Sequence, residues 1–144
     1  MDIFSKDEQD RIVQAISVAE SKTSGEIRLV IDRKLNKGVA LDAAVKYFRD
    51  LKMHKTLLKN GVLFYLAVDD HEFALIGDTA INERVDSAFW EQTKLQMFAL
   101  FKEEKMAEGL IAGITYVGEQ LQHYFPRKAD DINELPDDIY FGNN

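Results

Sequence analysis

The stretch from Lys59 to Asp86 constrains the fold more than any other part of the chain. It contains an apolar run from Val62 to Val68, the polar residues Asp69 to Glu72, and a second apolar run from Phe73 to Ile76. Two runs of strand length joined by a short polar segment predict a β-hairpin. Acidic residues follow each run, so carboxylates are expected where the strands leave the sheet.

A further strand and a helix precede this hairpin. Residues Glu26 to Asp32 are apolar on both faces apart from Arg28, which is typical of a strand covered by helices on both sides. Apolar residues from Leu41 to Leu51 recur at helical spacing, and Asn60-Gly61 marks the turn into the next strand. Strand–helix–strand units of this kind are parallel in nearly all cases. The sequence therefore predicts an α/β fold with a mixed sheet of at least three strands.

Helices are predicted on either side of these strands. Ser5 and Glu8 have the spacing of a capping box and open a helix through about residue 22. Asp86 is a candidate N-cap for a helix through about Glu104, and a last helix covers about 107–124 and ends before Pro126.

The chain has the length of one domain, which we assign to residues 1–126. Residues 127–144 contain five acidic and two basic residues, and we expect them to form an acidic, mobile tail. The alternative is that Leu135-Pro136 and the apolar triplet Ile139–Phe141 dock on the domain.

Composition excludes several classes of function. A net charge of −7 opposes binding to nucleic acids, and the absence of cysteine excludes disulfides, thiolate nucleophiles and Cys-ligated metals. The N-terminal sequence lacks the pattern of a signal peptide, and no apolar run approaches the roughly 20 residues that span a bilayer. We therefore expect a cytoplasmic protein without membrane insertion.

The predicted topology gathers acidic residues at two corners of the sheet. Because the first two strands are parallel, Asp32, Asp69, Asp70 and His71 can meet where these strands end. The hairpin's second strand runs back, so a different set of polar residues can meet at the opposite edge. These residues are Glu26, Asn60, Asp78, Glu83 and Asp86.

Two interpretations of these corners remain open. Carboxylates, amides and carbonyl oxygens suit Ca²⁺ or Mg²⁺, which bind oxygen ligands. In the alternative, Asp69 and Asp70 form a turn and Asp78 and Asp86 cap helices, while the two glutamates at the second corner are solvated. Arg84 is the basic residue that the sequence places at this second corner.

Several short motifs carry a resemblance to a known family. Ser24-Gly25-Glu26 precedes an apolar strand, and Asn60-Gly61-Val62-Leu63 opens the next. Asp69-Asp70-His71 follows that strand, and Gly77 precedes the acidic segment Asn82–Asp86. In these features the chain resembles the TPM domain family over about residues 5–125.

The resemblance implies a three-layer α/β/α sandwich around a mixed, roughly four-stranded sheet. It also implies binding of divalent cations, chiefly Ca²⁺, and in some members an acid-phosphatase activity. The family's acidic cluster falls on Glu26, Asp78, Glu83 and Asp86, which are the predicted metal ligands, with Asp32, Asp69 and Asp70 as a secondary candidate corner.

This chain departs from the family pattern at two places. The second glycine expected after the hairpin is absent, and Leu51-Lys52-Met53-His54 replaces the usual Trp-Gly loop. We therefore predict a Ca²⁺-binding, non-catalytic accessory or interaction module with a protein partner. The alternatives are a metal-dependent acid phosphatase, which acts on phosphomonoesters, and a metal-free domain that binds a partner.

Overall fold

The structure is a computed structural model that describes residues 3–35, 38–128, 135 and 137–142. Its helices and strands alternate in the first half of the chain, whereas helices dominate the second half. In chain order they are α1 (Lys6–Glu20), β1 (Glu26–Asp32), α2 (Ala40–Asp50), a 3₁₀ turn (Met53–Lys55), β2 (Gly61–Ala67), β3 (Glu72–Gly77), α3 (Thr79–Arg84), α4 (Ser87–Phe101), α5 (Met106–Tyr124) and β4 (Ile139–Phe141).

The described strands form a mixed, four-stranded sheet in the order β3-β2-β1-β4. β1 pairs in parallel with β2, and Glu26 lies opposite Gly61 in their register. β2 pairs antiparallel with β3, with Val62 opposite Gly77. The hairpin and the parallel β-α-β unit predicted from the sequence are therefore confirmed.

Helices cover both faces of the sheet and complete a three-layer α/β/α sandwich. On one face, Leu29, Phe64 and Leu66 pack into a core that includes Ile114 of α5. On the other face, Val30 and Tyr65 pack with Ala44 of α2. β1 and β2 are buried along their whole length, as expected for strands covered on both sides.

The helix boundaries follow local sequence signals. The Ser5 hydroxyl accepts a hydrogen bond from the Glu8 amide, and the Glu8 carboxylate accepts one from the Ser5 amide, so the capping box is confirmed. Asp86 caps α4, as predicted. These caps satisfy amide groups that the first turn of a helix otherwise leaves without partners.

The fourth strand comes from the segment that we expected to be a mobile tail. Ile139–Phe141 pairs in parallel with β1, and the Gly142 amide donates a 2.8 Å hydrogen bond to the Ile31 carbonyl. Ile139 and Phe141 pack against the core on one face, and Tyr140 packs on the other. The triplet Ile139–Phe141 therefore docks on the domain. Residues 129–134, 136 and 143–144 lie outside the described part of the chain.

Candidate functional site

Glu26 and Asp78 lie on opposite sides of Gly61 at the edge predicted from topology. Glu26 is the register partner of Gly61, and the Asp78 amide donates a 2.9 Å hydrogen bond to the Gly61 carbonyl. The Glu26 side chain is buried, and its Oε1 accepts a 2.8 Å hydrogen bond from the Leu135 amide. Glu26 is therefore occupied by the C-terminal segment and is not solvated.

The other acidic residues of this edge have local roles. Asp78 caps α3 by accepting a 2.7 Å hydrogen bond from the Thr79 amide, and Asp86 accepts one of 3.3 Å from the Phe89 amide. Glu83 is exposed on α3. Within the described residues, no three histidine, aspartate or glutamate side chains are grouped so that they could hold a metal ion. The helix-cap interpretation of Asp78 and Asp86 is confirmed, and the predicted four-acid metal site stays a prediction.

The secondary corner is divided between the interior and the surface. Asp32 is buried and accepts hydrogen bonds from the hydroxyls of Tyr47 and Tyr65. Burial, together with these bonds to Asp32, raises the pKa of both tyrosines. Asp69 and Asp70 are exposed, and Asp70 accepts a 2.6 Å hydrogen bond from the Leu35 amide. Asp32 therefore serves the interior, while the other two carboxylates lie at a surface turn.

A cleft of about 630 Å³ opens beside the C-terminal half of β3. α2 forms one wall with Val45 and Phe48, and α4 forms the other with Trp90. Asp78, at the end of β3, also lines this cleft. The cleft thus contains one of the four predicted metal ligands, beside apolar side chains from two helices.

The carboxylate of Asp78 combines one satisfied and one unsatisfied oxygen at the cleft. Its residue is only 8% exposed, and its Oδ2 is buried without a hydrogen-bond partner among the described residues. A buried carboxylate oxygen without a donor or a cation is costly. This oxygen is therefore suited to a ligand that enters the cleft.

Three basic side chains also line the cleft, and sequence reasoning missed them. They are Arg49 of α2, His54 of the 3₁₀ turn and Lys94 of α4. Arg84, the basic residue that the sequence places at this corner, does not line the cleft; its guanidinium donates to the Tyr124 carbonyl at 3.4 Å and lies over the Phe125 ring. The end of α5 lies beside the same edge, since the Ser24 amide donates a 2.9 Å hydrogen bond to the Phe125 carbonyl.

A further acidic residue, at the end of α1, faces the C-terminal segment. Glu20, the last residue of α1, is buried, and its Oε2 accepts a 2.6 Å hydrogen bond from the Ile27 amide. Burial and a hydrogen bond with the Asp137 carboxyl raise the pKa of Glu20 to about 10, and the charge of Glu26 acts in the same direction. Glu20 therefore carries a proton at neutral pH. No motif in the sequence indicated this group.

The family profile described as the TPM domain matches residues 1–120. Among solved structures, the chain is similar to the BA42 protein from the psychrophilic bacterium Bizionia argentinensis, with 42% identity and a TM-score of 0.93. That match covers 98% of this chain and 97% of the other. No curated protein matches the chain.

More distant structures share the fold alone. The N-terminal domain of a protein from P. gingivalis has 17% identity and a TM-score of 0.71, with coverage of 86% of this chain and 80% of that one. The N-terminal domain of a protein from Corynebacterium glutamicum has 13% identity and a TM-score of 0.67, with coverage of 99% and 83%. Within the described residues, none of the helices has the length and apolar character needed to cross a membrane.

Proposed function

The chain belongs to the TPM domain family, and we propose that it is a Ca²⁺-binding, non-catalytic accessory module whose cation site includes Asp78. The observation that carries this proposal is the buried Oδ2 of Asp78, which lines an open cleft and accepts no hydrogen bond from the described residues. A divalent cation would neutralise this carboxylate and replace the missing donor.

The residues near Asp78 suit a low-affinity Ca²⁺ site better than a site in which the protein supplies every ligand. Ca²⁺ binds roughly six to eight oxygen atoms, and Asp78 can supply a carboxylate beside the side-chain oxygens of Thr79 and Asn82. Water would complete the coordination, because the described residues include no group of three ligating side chains. We expect a Kd on the order of 10⁻⁴–10⁻³ M, as in weak extracellular modules.

A Ca²⁺ titration followed by backbone amide shifts tests the proposal. The largest shifts are expected at the amides of Asp78, Thr79 and Asn82. Asp78→Asn should abolish them while α3 keeps its cap, because asparagine caps helices as well as aspartate does. Asp86→Asn is the matched control, since Asp86 caps α4 and does not line the cleft.

The titration also separates this site from the earlier predictions. Shifts that are lost in Asp86→Asn or Glu83→Gln would indicate that the four-acid cluster binds the ion as a unit. Shifts centred on Asp32, Asp69 and Asp70 would place the ion at the other corner. An absence of shifts, and a melting temperature unchanged at a Ca²⁺ concentration a hundredfold above the expected Kd, would contradict cation binding, because such an excess stabilises the fold by about 2.7 kcal/mol.

A second candidate function is hydrolysis of phosphomonoesters, and the basic lining of the cleft favours it. Arg49, His54 and Lys94 could contact phosphate oxygens, while Asp78 could hold Mg²⁺, which commonly binds through one or two carboxylates and substrate phosphates. The test is turnover of p-nitrophenyl phosphate with Mg²⁺. Turnover that is lost in Lys94→Ala and in Asp78→Asn would promote this function over the binding module.

A further inference from the structure

β3 lies at an edge of the described sheet, and part of its backbone faces away from β2. Hydrogen bonds in an antiparallel pair involve every second residue, and the Asp78 amide bonds to Gly61 of β2. By this alternation, the N–H and C=O groups of Phe73, Leu75 and Gly77 point to the free edge. The Gly77 carbonyl is occupied, since Asn82 Nδ2 donates a 2.9 Å hydrogen bond to it.

The outward edge at Phe73 and Leu75 is not covered by another described strand, and Leu75, although only 8% exposed, lines the cleft of about 630 Å³. Within the described residues, neither has a backbone partner beyond its place in the β2–β3 pair. Unpaired N–H and C=O groups in a row form a template on which another extended chain can pair.

Two clefts follow this edge along β3. The cleft of about 630 Å³ described above borders its C-terminal half, and another of about 350 Å³ borders Phe73, Phe98 and Lys102. An added strand would therefore have space for its side chains on both faces beside the C-terminal half of β3, and on the α4 face beside Phe73.

The walls of this groove combine apolar surface with positive charge. On the α4 side, Trp90, Lys94, Phe98 and Lys102 recur at helical spacing, and Phe98 is 49% exposed. On the α2 side, exposed Val45 and Arg49 have the same combination. These cations face the groove in a protein whose net charge is −7. Asp78 and Glu104 also line the two clefts, but Arg49, Lys94 and Lys102 outnumber these carboxylates, so the local charge favours a ligand with acidic side chains.

We propose that the β3 edge, between α2 and α4, binds an extended peptide segment that carries both apolar and acidic side chains and adds as a further strand beside β3. Such a segment would be the partner of the proposed accessory module, and its binding would not require a cation. Backbone hydrogen bonds to Phe73 and Leu75 would give affinity, while the two walls would select the side chains.

A second copy of this chain suits the groove less well. Two-fold pairing through β3 would bring the same surface patches together and so place the Lys94 side chains of both copies near the same interface. Like charges brought together in this way are unfavourable.

The test uses a capped peptide that matches the six residues of β3 in length and alternates pairs of valine and glutamate. Each face of such a strand presents both side-chain types to one wall. The peptide is titrated into the ¹⁵N-labelled chain in the presence of EDTA. We expect shifts and slowed hydrogen exchange at the amides of Phe73 and Leu75, with a further shift at the Trp90 indole.

Matched controls separate strand addition from charge attraction. Arg49→Glu with Lys94→Glu should weaken binding by about tenfold or more, whereas Lys6→Glu on α1 should leave it unchanged. Alternate N-methylation of the peptide should abolish binding, because it removes the backbone donors. A peptide in which lysine replaces glutamate should bind more weakly.

Three outcomes would overturn the proposal. They are the absence of shifts at Phe73 and Leu75, equal binding of the N-methylated peptide, and protection of these two amides by self-association without peptide. Because EDTA is present, none of them depends on whether Asp78 binds Ca²⁺. Loss of Ca²⁺ binding with intact peptide binding would in turn contradict the cation proposal alone.

Discussion

The Tyr65 hydroxyl donates a 2.7 Å hydrogen bond to Oδ2 of Asp32, and both residues are buried at the end of the parallel strands. Tyr47 of α2 adds a second donor at 2.9 Å. Gly142 lies directly against this carboxylate, where a Cβ would collide with Oδ1 of Asp32. The cluster therefore connects three parts of the sheet, namely β1, β2 and the residue after β4.

We predict that Tyr65→Phe lowers the free energy of unfolding by about 1–3 kcal/mol, because it leaves a buried carboxylate with one donor fewer. Urea denaturation measures the change, and the slope of the transition should stay constant. Tyr116→Phe, at a partly exposed position on α5, is the control and should change the value by no more than about 0.5 kcal/mol. Equal effects of the two variants would argue against this role of Asp32.

We predict that a chain ending at residue 138 melts several degrees below the full chain. The deletion removes β4, the hydrogen bond from Gly142 to Ile31 and the packing of Ile139 and Phe141 on the core. Removal of residues 143–144 alone is the control. Thermal unfolding by circular dichroism measures both, and an unchanged midpoint for the longer deletion would show that β4 adds little stability.

We predict that Leu66→Ala costs roughly 2–5 kcal/mol, because this side chain is 1% exposed on β2, an inner strand of the sheet. Leu95→Ala removes the same atoms from a side chain that is 60% exposed on α4, and it should cost no more than about 0.5 kcal/mol. Chemical denaturation compares the two directly. A loss below about 1 kcal/mol at Leu66 would mean that the site collapses around the cavity.

The central strands could be predicted because their signal is local. β1 and β2 are apolar on both faces, so the continuous runs indicate their burial without knowledge of any neighbour. The caps at Ser5, Asp78 and Asp86 are likewise decided within a few residues of each helix start. β4 was ambiguous, because a strand of three residues carries too little pattern to distinguish docking from mobility.

The site could be predicted only in part, since its members come from distant segments. The edge that holds Glu26 and Asp78 followed from strand direction alone. Tyr47 and Tyr65 meet Asp32 only once α2 packs on the sheet, and Arg49 and Lys94 approach the cleft from two different helices. The spacing of residues within one helix or strand does not predict contacts between side chains that come from different elements.

Glu20 gives the fold an unusual dependence on pH. Its pKa is about 10 in the folded chain and about 4.3 in an unfolded chain, so between these values the folded state retains a proton that the unfolded state releases. The stabilisation from this group is therefore complete below about pH 4 and declines as pH rises toward 10. For one titrating group, the free energy of unfolding can fall by at most about 1.4 kcal/mol per pH unit.

We predict that Glu20→Gln increases stability at pH 8 and flattens the decline between pH 5 and 9, because glutamine can accept the Ile27 amide and donate to Asp137 without a charge to lose. Urea denaturation across this range measures the difference in the free energy of unfolding between variant and wild type. The contributions of other titrating groups cancel in this difference. Glu119→Gln, at an exposed position on α5, is the control and should follow wild type. A variant that is less stable than wild type at pH 8, or parallel to it at every pH, would show that Glu20 is ionised in the folded chain.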